Sequence, residues 1–87
     1  MKVEVRYFAS IREALGPGEV LDVADGSTIA TVASIRDALI ARGGAHAIAL
    51  ARGKALRTAL NKVLCDDAAV LPADGAELAF FPPVTGG

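Results

Sequence analysis

The sequence predicts an α+β domain in which one main helix packs across a mixed sheet of about four to five strands. Three observations predict it. Residues 2–8 and 19–24 alternate polar and apolar side chains at the period of half-buried strands. Residues 32–42 carry an apolar stripe at the period of a helix, and strand-like apolar runs then continue to Phe81. With 87 residues, of which 53% are apolar, the chain builds one core and is too apolar to be disordered.

In the first strand Val3, Val5 and Tyr7 fall on one face and Lys2, Glu4, Arg6 and Phe8 on the other, so Phe8 is an aromatic side chain on a charged face. Ala9 to Leu15 follows as a short helix with Ser10 as N-cap and Gly16-Pro17-Gly18 as its stop. Residues 19–24 set Val20, Asp22 and Ala24 opposite Leu21 and Val23, and are expected to pair back on the first strand. Asp25-Gly26-Ser27 reads as a turn. Thr31 then caps the main helix, about residues 32–42, with Val32, Ile35, Ala38 and Leu39 buried and Arg36, Asp37 and Arg42 facing water. Gly43-Gly44 ends it.

Residues 45–56 stay open between helical turns and a short strand through Ala47–Ala51, with a turn at Gly53-Lys54. Thr58 to Cys65 reads as a strand, Asp66-Asp67 as a turn, and Val70-Leu71 as a short strand or bridge. Asp74-Gly75 turns the chain into a last strand, Glu77 to Phe81, which Pro82-Pro83 terminates because proline has no N–H to donate. The order β-β-α-β-β, with strongly apolar first and last strands, places those two centrally as parallel neighbours. That is the β-grasp, or ubiquitin-like, arrangement. Residues 1–81 form the single domain and residues 82–87 a flexible tail.

Composition excludes several classes of function. The net charge is −1 and the basic residues are scattered, which gives no nucleic-acid surface. Lys2, Glu4 and Arg6 break any signal sequence and no apolar run is long enough to span a bilayer, so the cytoplasm is expected. Cys65 is the only cysteine and His46 the only histidine, which leaves no disulfide and no metal cluster. His46 has no Ser, Cys or carboxylate constellation near it in the sequence and reads as a surface or capping residue. Cys65 reads as a small half-buried hydrophobe. No catalytic constellation is present, so the chain is not expected to be an enzyme on its own.

The informative feature is the ending. Gly86-Gly87 is thin and conformationally free, which suits a carboxylate threaded into another protein's active site. Pro82-Pro83 stiffens the exit from the fold, and the six residues after Phe81 reach at most about 20 Å when extended. Alternation also points Phe81 and Ala79 to the outer face if Leu78 and Phe80 face the core. With Phe8, and Leu64 from a nearby strand, they make an apolar patch suited to docking a partner.

The segment Tyr7-Phe8-Ala9-Ser10-Ile11-Arg12-Glu13, the central Leu60-Asn61 and the ending Phe80-Phe81-Pro82-Pro83-Val84-Thr85-Gly86-Gly87 resemble the small subunits of molybdopterin synthase, a ubiquitin-like sulfur-carrier family. The likeness covers essentially the whole chain. It departs before Thr31, where the family often has proline and this chain has Ile29-Ala30. The resemblance implies that an activating enzyme adenylates the Gly87 carboxylate using ATP and Mg²⁺, and that sulfur from a donor displaces AMP to leave a thiocarboxylate. It implies that Pro82, Pro83, Val84, Thr85 and Gly86 carry this group into the large synthase subunit, where it donates sulfur to a pyranopterin precursor. It places partner contacts on Phe8, Leu64 and Phe81 and implies a heterotetramer, with no permanently bound cofactor or metal. The alternatives are a carrier for thiamine or transfer-RNA thiolation, disfavoured by the Phe-Phe-Pro-Pro-Val approach, a modifier conjugated to proteins through Gly87, and a passive interaction module.

Overall fold

A computed structural model describes residues 2–23, 30–72 and 75–83. The element order is β1 (Lys2–Tyr7), α1 (Ala9–Leu15), β2 (Gly18–Asp22), α2 (Val32–Ile40), α3 (Gly44–Ala49), β3 (Arg57–Leu60), β4 (Val63–Cys65) and β5 (Ala76–Phe81). Ala24, the expected Asp25-Gly26-Ser27 turn, Asp74 and the tail residues Val84, Thr85, Gly86 and Gly87 lie outside the described residues.

The five strands form one sheet in the order β2-β1-β5-β3-β4. β1 pairs antiparallel with β2 and parallel with β5, so the first and last strands are neighbours inside the sheet as expected. The strict alternation of β1 is visible in its burial: Val3, Val5 and Tyr7 are buried and the residues between them exposed. Val32, Ile35 and Leu39 of α2, Leu78 and Phe80 of β5, and Ile11, Leu50 and Leu71 join them in the core. α2 starts as expected, with Thr31 and Ser34 exchanging side-chain-to-backbone hydrogen bonds in a capping box.

Several expectations need correction. α1 is capped at Phe8, not Ser10, and no side chain makes the cap bond. α2 ends at Ile40, two residues before the expected bound; the Gly43 N–H closes on the Ile40 carbonyl (3.0 Å), and Gly43, at φ 73°, is also the N-cap of α3. The open stretch 45–56 is thus helical through Ala49 and then irregular. Ala38 is exposed, and Arg36, expected in water, is only 5% exposed. Its guanidinium donates to the backbone carbonyls of Leu50 (2.8 Å), Ala51 (2.6 Å) and Lys54 (3.3 Å). The connection after α3 has few carbonyl partners of its own, and one Arg fork supplies them from α2.

The expected single strand Thr58–Cys65 is instead a hairpin. Asn61 (φ 49°) and Lys62 (φ 71°) make a two-residue turn between β3 and β4, and both positive φ values match the right-handed twist of the flanking strands. Asn61 also ties the turn to β5: its N–H donates to the Glu77 carbonyl (2.8 Å) and its Oδ1 accepts from the Glu77 N–H (2.9 Å). Val70 forms a bridge with Thr31, so that short piece is a bridge rather than a strand of the sheet. A tight approach at the β1–β2 junction fixes Gly18, where a Cβ would collide with the Val5 carbonyl oxygen.

Candidate docking face and tail exit

Alternation in β1 and β5 has a direct geometric result on the face opposite the helices. Arg6 lies beside Ala79, Ala79 beside Ala59, and Ala59 beside Leu64, so these four form one row across four strands. Phe8 and Phe81 stand two residues further along their strands, on the same side. Ala59 and Ala79 are small and floor a recess of about 460 Å³ whose walls include Phe8, Phe81, Arg6, Lys62 and Glu77. Phe8 is 44% exposed, Leu64 64% exposed, and Phe81 half-buried. The three expected docking residues therefore share one face. Leu64 is separated from Phe81 by β3, and the two alanines keep the surface between them low.

Phe8 is held by backbone rather than by packing. Its N–H donates to the Phe80 carbonyl (3.1 Å), extending the β1–β5 ladder, and its carbonyl accepts from the Ile11 N–H (3.2 Å) and the Arg12 N–H (3.3 Å). Ala9 then takes φ 52°, a left-handed conformation that costs a non-glycine residue about 1 kcal/mol or more. That reversal turns the chain from strand into helix while leaving the Phe8 ring on the outer face.

Charged side chains rim the recess. Arg6 pairs with Glu4 (2.6 Å) and Glu77 (3.2 Å), whereas Lys62 makes no ion pair with another described residue. Period two alone places Arg6 with Phe8 and Glu77 with Phe81. At the end of this face β5 passes into Pro82, half-buried, and Pro83, exposed, so the tail starts beside Phe81.

His46 requires a further correction. The fold brings Glu19 of β2 to it across 27 sequence positions, with Nε2 3.1 Å from the Glu19 Oε2. The same oxygen accepts from the Tyr7 hydroxyl (2.8 Å), and Arg42 donates to Oε1. Burial raises the Glu19 pKa, but the hydrogen bonds from His46, Arg42 and Tyr7 outweigh it and hold the carboxyl below its ordinary range. Burial, then the bond to Glu19, pushes the Tyr7 phenol well above its usual value. This cluster ties β1, β2 and α3 together; no local spacing announces it, because its members meet only in the folded sheet. Cys65, half-buried as expected, lies with its carbonyl 3.0 Å from the Thr58 hydroxyl, far from the tail in sequence. Among the described residues no cluster of His, Cys, Asp or Glu could hold a metal, and no helix is long and apolar enough to cross a membrane.

A helix packed across a mixed sheet whose first and last strands run parallel, with an apolar outer face at the exit of a C-terminal segment, defines a ubiquitin-like protein of the β-grasp class. Within that class the chain belongs to the ThiS family, which matches residues 5–87. It is 40% identical over 85 residues to the molybdopterin synthase sulfur carrier subunit of Escherichia coli K12, covering 98% of this chain and 99% of that protein. Its structure is similar to the small archaeal modifier protein 1 of H. volcanii (TM-score 0.70, 32% identity, 95% of this chain and 98% of that one). It is also similar to a chain in the complex of subunits 1 and 2 of the molybdopterin-converting factor from Helicobacter pylori 26695 (TM-score 0.67, 26% identity, all of both chains).

Proposed function

We propose that this chain is the sulfur-carrying small subunit of a molybdopterin synthase, acting in complex with a large subunit. The observation that carries the reading is the 40% identity, along nearly its whole length, to a molybdopterin synthase sulfur carrier subunit. The complex of subunits 1 and 2 that contains a similar chain supports the large-subunit partner.

The chemistry assigned to the tail follows from what a carboxylate lacks. It is a poor electrophile, so an activating enzyme using ATP and Mg²⁺ first converts the Gly87 carboxylate to an acyl adenylate, releasing pyrophosphate. Sulfur from a donor then displaces AMP, and the C–O bond to AMP is replaced by a C–S bond. The thiocarboxylate sulfur is ionised and polarisable, hence a better nucleophile than the oxygen it replaced, and it attacks the pyranopterin precursor in the large subunit. The chain itself contributes position. Phe8, Leu64 and Phe81 dock, Pro82 and Pro83 aim the tail, and Val84, Thr85 and Gly86 reach inward so that Gly87 arrives oriented. The cytoplasm, where ATP is available, is the proposed compartment, and a heterotetramer the proposed assembly.

The test is at the terminus. Deleting Gly87, or extending the chain beyond it, is expected to abolish sulfur loading and pterin conversion without changing the thermal melt. Full activity in an extended, unprocessed chain overturns the reading. A second reading, a protein modifier joined to lysines through Gly87, is favoured by the likeness to the small archaeal modifier protein 1. Both uses begin with the same acyl adenylate. Intact mass of the chain from its native cell separates them, since a carrier shows one oxygen replaced by sulfur and a modifier shows adducts on other proteins.

A further inference from the structure

Pro82 does more than end β5. It walls a second apolar groove, of about 440 Å³, on the helix side of the sheet, together with Ile11 and Ala14 of α1, Ala45 and Ile48 of α3, and Leu56 before β3. Ile48 is 69% exposed there, and Lys54, also lining the groove, makes no ion pair with another described residue. Ile11 and Leu56 belong to or pack against the core, whereas the exposed Ile48 serves neither the core nor the outer-face recess. The groove meets that recess at the corner where Phe81 passes into Pro82 and Phe8 into Ser10, so apolar surfaces flank the tail exit on both sides.

The length of the tail decides what covers the groove. On the reading that Gly87 carries the sulfur, only five residues lie beyond Pro82, at most about 18 Å of extended chain. A subunit that encloses Gly87 has to bring the rim of its channel against the body around Pro82, on the helix side as well as the sheet side. We propose that the α1–α3 groove is a second docking site for the large synthase subunit. Its occupant is an aliphatic or aromatic side chain of the channel rim, with a carboxylate placed to meet Lys54. The recess and the groove then grip the partner from opposite sides of the emerging tail, which fixes the tail's direction as well as its position.

Calorimetric titration of the whole chain against its large subunit tests this. Ile48→Glu and Ala45→Glu alter exposed positions, so both should melt as the wild type and weaken binding by about tenfold or more, as burying an unpaired charge at an interface does. Ile48→Leu should bind normally, and Phe81→Ala serves as the control for the outer face. Unchanged affinity in a folded Glu variant, or a loss confined to the activating enzyme, overturns the groove assignment and leaves the carrier reading standing. A wild-type chain that does not bind the large subunit overturns the carrier reading itself, and the groove assignment with it.

Discussion

Glu19 is the residue whose environment departs furthest from its place in the sequence. Its side chain accepts hydrogen bonds from Tyr7, Arg42 and His46, and its pKa is lowered, so the stability it contributes is present above its ordinary value of 4.5 and lost as the pH falls through the folded value. Tyr7 titrates the other way. Its raised pKa means a contribution fully present below pH 10.0 and lost as the pH rises from there through the folded value. Glu19→Gln should therefore cost about 1–2 kcal/mol at neutral pH and flatten the acid limb of stability below pH 4.5. Urea unfolding across that range measures it, and Tyr7→Phe should flatten the alkaline limb instead. Arg36 makes a second residue-scale prediction. Truncating it takes this donor from the carbonyls of Leu50 and Lys54, while the Ala51 carbonyl keeps the Lys54 N–H (2.9 Å), so Arg36→Ala should cost about 3 kcal/mol. Lys has no planar fork, and Arg36→Lys should restore less than half of that in the same unfolding experiment.

At the scale of elements, legibility followed the period of the side chains. β1 alternates cleanly; β5, nearly all apolar, does not, but its place beside β1 and the shared face of Phe8 and Phe81 could still be read from the sequence. The α2 stripe was legible too, except at Arg36, where a charged residue normally faces water and only the carbonyls of a distant loop explain its burial. α3 was not legible: six residues, four of them Gly or Ala, fit either period, and its packing against α1 and α2 settles the matter. The β3–β4 hairpin hid behind an unusual turn, because Asn-Lys lacks the glycine that most often marks the second position. That turn carries a prediction. Lys62 holds φ 71° at the expense of a side chain, so Lys62→Gly should raise stability by up to about 1 kcal/mol, while leaving the Asn61–Glu77 bonds in place. A thermal melt decides its sign.

For the whole molecule, the separation of duties between the two faces of the sheet gives the sharpest test. Phe80 packs in the core and stacks near Tyr7, whereas Phe81, one residue on, lines the outer recess. Phe80→Ala should cost about 3–5 kcal/mol of stability. Phe81→Ala should melt close to the wild type and weaken binding to the large subunit by about 30-fold, the equivalent of about 2 kcal/mol. Calorimetry of both variants, beside their melting curves, checks the contrast.

The parallel pairing of β1 with β5 also bears on how the molecule comes into being. The last strand is not an ornament at the sheet's edge but lies between β1 and β3, closing contacts across some 70 positions of chain. Such long loops form late, because their ends must find each other before any contact rewards the search. While it is being synthesised the chain therefore has no finished core until the segment just ahead of the tail has left the ribosome. A chain cut short before β5 loses the middle of its sheet along with its tail. Completion of the sheet therefore waits on the last strand, and a chain that stops before β5 offers a partner no folded body to recognise.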